Sequence, residues 1–284
     1  MQQKTLKQEV IFEGIGVHSG QPAKIVLSPA EPNHGIMFAN SQFPDDVFKI
    51  GSVIPEVAML ATVIKNNRWM LSTTEHLLAA IVSLGLDNVL IHVFGVEIPI
   101  MDGSAAAFVQ GIQEVGFQVQ DAPKKYLTPK EVLKFEDKSG RLIHVYPAQD
   151  NSTELLINYT GDFTNKLVGD GKFECTLTSE FFTDQIAPAR TFGFLEQLPQ
   201  MRKMGVAKGT SLGNTLVLSN EGFLNEPRFQ DECIRHKVLD LIGDLGLLGL
   251  PLAGKVIAAK TGHSFNREVV LSYISNPEKW RIIY

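Results

Sequence analysis

Cysteine is scarce in this chain: only Cys175 and Cys233 occur among 284 residues. That count excludes a disulfide framework and a thiolate zinc finger, and makes a reducing, cytoplasmic setting the expected one. Positive charge is not in excess either. The 26 Lys and Arg against 31 Asp and Glu leave a formal charge of -5, whereas a general nucleic-acid binder would carry a basic footprint. A local basic pocket for an anionic ligand stays open. Long apolar runs are missing as well: the longest, Leu245 to Gly254, is broken by Gly246, Gly249 and Pro251 and falls short of the roughly 20 residues a spanning helix needs. The polar opening, Met1 to Glu9, lacks the apolar core of a signal peptide. Neither export nor stable membrane insertion is expected.

What is present is enough apolar material for a real core, with 44% hydrophobic and 20% charged residues. A chain of this length is expected to form two medium domains. The first half opens on strand patterns, Val10-Ile11-Phe12 and Lys24-Ile25-Val26-Leu27. The glycines of Gly14-Ile15-Gly16-Val17-His18-Ser19-Gly20 between them read as a tight turn. A dinucleotide fingerprint would need a different glycine spacing and a following helix. From Ser72 the period becomes helical, with Ser72 or Thr73 as cap, Glu75 in the first turn and an apolar stripe through Leu77, Leu78, Ile81, Val82 and Leu84. A strand over Val89 to Phe94 and a helix over Ala105 to Val115 follow.

The polar stretch Gln118 to Lys125, holding Pro123, reads as a linker, so the domains are expected to be 1-122 and 123-284. The second half repeats the plan: strands at Val132 to Phe135, Leu142 to Tyr146 and Leu155 to Tyr159, then a long helix from Asp231 to Leu248. Setting His76 over His236 aligns Leu77 to Gly85 with Lys237 to Leu245. The expected class is therefore α+β: two similarly built two-layer sandwiches packed with their helices facing, and a site at their interface.

Seven histidines raise the question of which do chemistry. His236 and Asp240 lie four apart on the long helix, hence on one face and close enough to share an ion. Asp244, one turn further, is placed to orient another group. Taken alone, a His–Asp pair at this spacing is more often a structural hydrogen bond. His76 would complete the three nitrogen or oxygen ligands of a catalytic zinc, and the adjacent Glu75 could take a proton from water. By itself Glu75 is an ordinary first-turn acid. His263, on a glycine turn after the strand Lys255 to Ala259, is placed like a general acid. His34, His92 and His144 read as structural, and His18 is undecided.

Four segments then stand out together: Ser72-Thr73-Thr74-Glu75-His76-Leu77-Leu78, Glu97-Ile98-Pro99-Ile100-Met101-Asp102-Gly103-Ser104, Ala189-Arg190-Thr191-Phe192-Gly193-Phe194 and Arg235 to Leu245, closed by Gly262-His263. In their order and spacing the chain closely resembles the zinc-dependent UDP-3-O-acyl-N-acetylglucosamine deacetylase (LpxC) family over nearly its whole length. The resemblance implies Zn2+ on His76, His236 and Asp240, with Glu75 as general base and His263 as general acid or cationic stabiliser, held by Asp244. It also implies Thr191 at the oxyanion, Lys237 on the anionic or sugar part of the substrate and Phe163 stacked on uracil. Phe192, Phe194, Leu195 and Leu198 would line a passage for the 3-O-acyl chain, although such a stripe without the resemblance reads as plain core.

The implied reaction is hydrolysis of the N-acetyl amide with release of acetate, the committed step of lipid A synthesis. A nucleotide-sugar lipid would be the small-molecule partner of a monomer. Two departures stand out. Ala61 occupies a position where the family often has cysteine or serine, and Gly209-Thr210-Ser211 stands for Gly-Gly-Ser. A non-catalytic binder of nucleotide-sugar lipids, and a zinc deacetylase of another N-acyl sugar, are the alternatives.

Overall fold

The computed structural model describes residues 1–58, 61–162, 168 and 170–284. In chain order the first half runs β1 (Gln2–Leu6), β2 (Val10–Ile15), β3 (Pro22–Pro29), β4 (Ile36–Asn40), β5 (Phe43–Lys49), β6 (Pro55–Ala58), β7 (Ala61–Lys65), β8 (Met70–Ser72), helix α1 (Glu75–Ser83), β9 (Val89–Phe94), α2 (Ala106–Val115) and β10 (Phe117–Pro123). The second half continues with β11 (Tyr126–Pro129), β12 (Leu133–Glu136), β13 (Leu142–Tyr146), β14 (Leu155–Asp162), β15 (Asp170–Thr176), α3 (Ser179–Phe181), β16 (Phe192–Phe194), α4 (Leu198–Lys203), β17 (Leu216–Ser219), β18 (Gly222–Phe223), α5 (Glu232–Gly246), β19 (Gly254–Ala259), α6 (His263–Ser275) and β20 (Trp280–Ile283). Among the described residues, no helix is long and apolar enough to cross a membrane.

The repeat expected from the sequence is plainer in the sheets than in the residues. One five-stranded sheet has the order β2-β3-β9-β4-β5 and the other β12-β13-β19-β14-β15. In each, one inner pair is parallel, β4 with β9 and β14 with β19, and the remaining pairs are antiparallel. α1 precedes β9 as α5 precedes β19, and α2 follows the one as α6 follows the other. The class is α+β, as expected. α6 was not foreseen, because its buried residues Phe265, Asn266, Val269 and Val270 include a polar one that blurs the apolar stripe.

Gln118 to Lys125 is not an exposed linker. β10 pairs antiparallel with β1, from Leu6 opposite Phe117 to Gln2 opposite Pro123. The amide of Gln120 is buried, donating to the Ala30 carbonyl and accepting from Asn88, and Lys124 is buried against Asp87 at 2.7 Å. A polar composition resembles a linker, but here the polar side chains have found partners inside the protein. The expected cap also differs. Ser72 ends β8, Thr73 takes a left-handed φ of 61°, and Thr74 occupies the cap position without a side-chain cap bond. Two consecutive threonines with a serine before them mark a helix start, and the sharp turn at Thr73 leaves all three before the helix, which begins at Glu75.

α1 is buried along almost its whole length, Glu75 and His76 included, because it packs against α5 and α2 within the core they share with the first sheet. α5 carries Gly243 and Gly246 where it crosses α1. A Cβ at Gly243 would come 1.9 Å from the Glu75 carbonyl oxygen, and one at Gly246 would come 3.3 Å from Leu78 Cβ. A helix-interior glycine costs about 1 kcal/mol relative to alanine, and here the cost is offset by backbone contact that brings His76 to His236. Gly243→Ala is accordingly expected to destabilise the fold by about 1–3 kcal/mol despite its better helix propensity, read as a lowered Tm in thermal unfolding. An unchanged or higher Tm would show that the helices do not need this close approach.

Candidate metal and catalytic site

Four polar side chains reach the crossing of α1 and α5 because each sits at a defined place on a helix. Glu75 and His76 are the first two residues of α1, and His236 and Asp240 lie one turn apart on α5. One ligand atom each from His76, His236 and Asp240 falls within 4.8 Å of the others. His236 Nε2 is 3.3 Å and His76 Nε2 3.8 Å from Asp240 Oδ1, and the two rings stand nearly perpendicular with centroids 5.0 Å apart. The Ala189 carbonyl, 3.1 Å from His236 Nδ1, can only accept, so Nδ1 carries the proton and Nε2 presents a lone pair.

His76 Nδ1 is buried without a partner. Burial first, and then the neighbouring His236, hold the His76 pKa down near about 3, so this ring is neutral. Burial likewise lowers His236. Asp240 is the reverse: burial alone would raise it, but Lys237 and the three histidines outweigh that and keep it well below the usual carboxylate range. Two neutral imidazoles and an ionised carboxylate, converging at a buried point with an orphaned ring nitrogen, fit a divalent metal. They are the donor types zinc takes in catalytic sites. These three residues could hold one ion.

Beside them lies a pair suited to moving protons. Glu75 Oε1 is 3.7 Å from His263 Nε2. Burial raises Glu75 to about 8, with Asp244 and Asp240 adding to the rise and His263 opposing it. For His263, burial is outweighed by Asp244, Glu75 and Asp240, and its pKa is pushed up to about 10. Its Nδ1 donates to Asp244 Oδ2 at 2.9 Å. His263 was expected on a turn; it is the first residue of α6, with Gly262 in extended conformation at the cap.

A cavity of about 480 Å³ opens from this cluster. Glu75, His76, His236, Asp240 and His263 line it, together with Thr191, Phe192, Phe194, Leu195, Leu198, Met201 and Val217. Asp244 lies behind the wall, acting through His263. Thr191 is fixed on both sides, its N–H donating to the Gly103 carbonyl at 2.7 Å and its carbonyl accepting from Leu216 N–H at 2.8 Å. Before it, the buried Arg190 guanidinium is paired with Glu232 at 2.8 Å, which ties the segment to the start of α5. Lys237 lines the cavity too, its Nζ 2.7 Å from Asp240 Oδ2 and 5.6 Å from the Phe192 ring centroid. Burial opposes its charge, but Asp240 foremost, with Tyr159 and Asp244, takes it up to about 12. Phe163 lies outside the described residues.

Several residues here were missed from sequence. Thr62 Oγ1 donates to Asp244 Oδ1 at 2.6 Å and Asn266 Nδ2 to Asp244 Oδ2 at 2.8 Å. Glu97 accepts from His18 N–H, Ser19 N–H and the Thr73 hydroxyl, at 2.8, 2.9 and 3.1 Å, and so pins the glycine turn to the entry of α1. His18, undecided from sequence, lines the cavity; His34, His92 and His144 do not. Glu97 stands inside a segment quoted for its pattern, so the pattern was the available signal, but no spacing rule points from it to residue 18. Of the two departures, Ala61 is buried in β7. Thr210 lines the cavity at a non-positive φ, so threonine is unstrained there, whereas a Cβ at Gly209 would meet the Gly16 carbonyl oxygen at 2.3 Å.

The family described as LpxC, UDP-3-O-acyl N-acetylglycosamine deacetylase, matches residues 3–274. By sequence the chain is similar to the UDP-3-O-acyl-N-acetylglucosamine deacetylase of Syntrophotalea carbinolica, 39% identical over 99% of this chain and 90% of that protein. It is likewise similar to the proteins of the same name from an Anaeromyxobacter species, 38% identical over 99% and 91%, and from Helicobacter hepaticus, 36% identical over 100% and 93%.

Proposed function

The chain belongs to the UDP-3-O-acyl N-acetylglycosamine deacetylase family, and on that premise we propose that it uses a zinc ion, held by His76, His236 and Asp240, to hydrolyse the N-acetyl amide of UDP-3-O-acyl-N-acetylglucosamine in lipid A synthesis. The observation that carries this reading is the convergence of three neutral or anionic ligand groups within 4.8 Å, beside the Glu75–His263 pair, in the wall of a cavity that is also lined by Phe192, Phe194, Leu195 and Leu198. Zinc at such a site supplies a Lewis acid that polarises a carbonyl and brings the pKa of water toward about 7. The rest of the chemistry falls to the chain.

Glu75 accepts the proton of the attacking water. Negative charge developing on the amide oxygen meets the Thr191 hydroxyl and the cationic His263. His263 keeps Nδ1–H on Asp244, which leaves Nε2–H free to protonate the departing amine. Glu75, 3.7 Å away, is within reach to shuttle the same proton. Lys237 offers a charge to the anionic or sugar part of the substrate, and Phe163 a ring to the uracil. Phe192, Phe194, Leu195 and Leu198 shield the acyl chain, each buried methylene contributing about 0.8 kcal/mol. We also place the domain boundary at 122/123, one residue short of the end of β10, supported by β1 pairing with β10 on one side and β11 with β20 on the other. The enzyme is read as a cytoplasmic monomer.

Metal analysis coupled to an acetate-release assay on the acylated nucleotide sugar tests the reading. One zinc per chain and acetate release are expected, with turnover lost on chelation and restored by zinc. The pH dependence should be bell-shaped. Glu75 works only when ionised, so the rate climbs as pH rises through its pKa, which bound divalent charge draws below the value of about 8 it has without metal. His263 works only when protonated, so the rate falls as pH rises through a pKa near about 10, and His263→Gln should abolish that basic limb. Full turnover without metal would overturn the proposal.

A further inference from the structure

Thr62 touches neither the cavity nor the three ligand residues' donor atoms, yet three of its groups are committed to the catalytic neighbourhood. Its carbonyl accepts from Thr73 N–H at 3.0 Å, just before α1 begins. Its N–H points at Glu75 Oε2, 3.4 Å away. Its hydroxyl donates to Asp244 Oδ1 at 2.6 Å, across 182 residues of chain. All of this is buried, Thr62 at 3% exposure and Asp244 at 2%.

Asp244 has two side-chain torsions between its helix and its carboxylate plane. His263 Nδ1 and Asn266 Nδ2 both bond Oδ2, whereas Oδ1 is held by the Thr62 hydroxyl. We propose that Thr62 is a positioning residue for proton transfer. Its hydroxyl pins Asp244 Oδ1, so that Oδ2 stays aimed at His263 Nδ1, while its main chain holds the entry of α1 and the Glu75 carboxylate in register with that ring. The two partners of the proton-moving pair stand on different helices, α1 and α6, and Thr62 is the residue bonded to the support of both. The inference rests on the reading of Glu75 and His263 given above.

The test uses the full-length, zinc-loaded enzyme with Thr62→Val, which keeps the shape and removes the donor, and Thr62→Ser, which keeps the donor. A hydrogen bond to a charged acceptor lost from this position should lower kcat roughly ten- to hundredfold, with KM within about twofold of the parent. Thr62→Ser should restore kcat to within about threefold. Nitrogen-15 spectra of histidine-labelled protein provide a readout that does not depend on turnover. The His263 Nδ1–H signal should shift or broaden in Thr62→Val and return in Thr62→Ser, with and without zinc. A Thr62→Val enzyme with parental kcat and an unmoved His263 signal would overturn the proposal, as would equal losses in both variants. If the unaltered protein releases no acetate, the functional reading fails instead, and the ring signal still decides the role of Thr62.

Discussion

Glu75→Gln is expected to lower kcat for acetate release by about 10²–10⁴ while leaving bound zinc and thermal stability near those of the parent. The substitution preserves the side chain's volume and its place in the first turn of α1, and takes away only the basic oxygen. Glu75 is 2% exposed and surrounded by Asp240, Asp244 and His263. A neutral amide is easier to bury there than a carboxylate, so no large folding penalty accompanies the loss of turnover. The rate remaining should be what ground-state binding, the metal and His263 supply without a base. A Glu75→Gln enzyme that retained more than about a tenth of parental kcat would show that another group takes the proton. His263 would then be the candidate to pair with it, and the acid limb of the pH profile would survive the substitution.

His236→Ala should have the second large effect: zinc lost on dialysis, and acetate release reduced to background. Changes to residues that only orient a metal ligand cost about 10–100-fold in affinity, so removing one of three ligands should exceed that range. His236 is the suitable ligand to remove because its geometry is set from behind. The Ala189 carbonyl holds its Nδ1–H and thereby aims Nε2 at Asp240 Oδ1 and His76. Alanine is a good helix former, so α5 should persist. Zinc content measured by atomic emission, beside a circular dichroism spectrum to establish that the helices remain, reads the outcome. Retention of one zinc per chain in a folded His236→Ala protein would remove His236 from the ligand set. His76→Ala should behave alike. Its ring is neutral down to a pKa near about 3, so protons should compete little for it in the working range.

Much of the site was legible because it is written at helical spacing. His236, Asp240 and Asp244 sit at successive fourth positions, and a four-residue step on a helix is a contact whatever the tertiary structure does. Glu75 and His76 are neighbours at a helix start for the same local reason. The strand patterns Val89 to Phe94 and Leu142 to Tyr146 became β9 and β13 with the same ends, since alternation of apolar residues already reflects a half-buried sheet. The segment Gln118 to Lys125 misled, because polar side chains with internal partners have the same composition as polar side chains in water. Gln120 is tied to Asn88 and Lys124 to Asp87 by contacts across 32 and 37 residues, which no window of sequence displays.

By itself, then, the sequence determined the α+β class, the repeated plan and the identity of the ligand and proton-transfer candidates, all of which depend on local periodicity or on segments met in a fixed order. Only the tertiary structure decided that His76 meets His236 and that Thr62 and Asn266 grip Asp244. It alone showed Glu97 fastening the His18 turn and Gly243 resting on the Glu75 carbonyl. These are contacts between chain segments far apart in sequence, and they exist because two buried helices cross at backbone distance and confine whatever polar groups they carry to the same few ångströms.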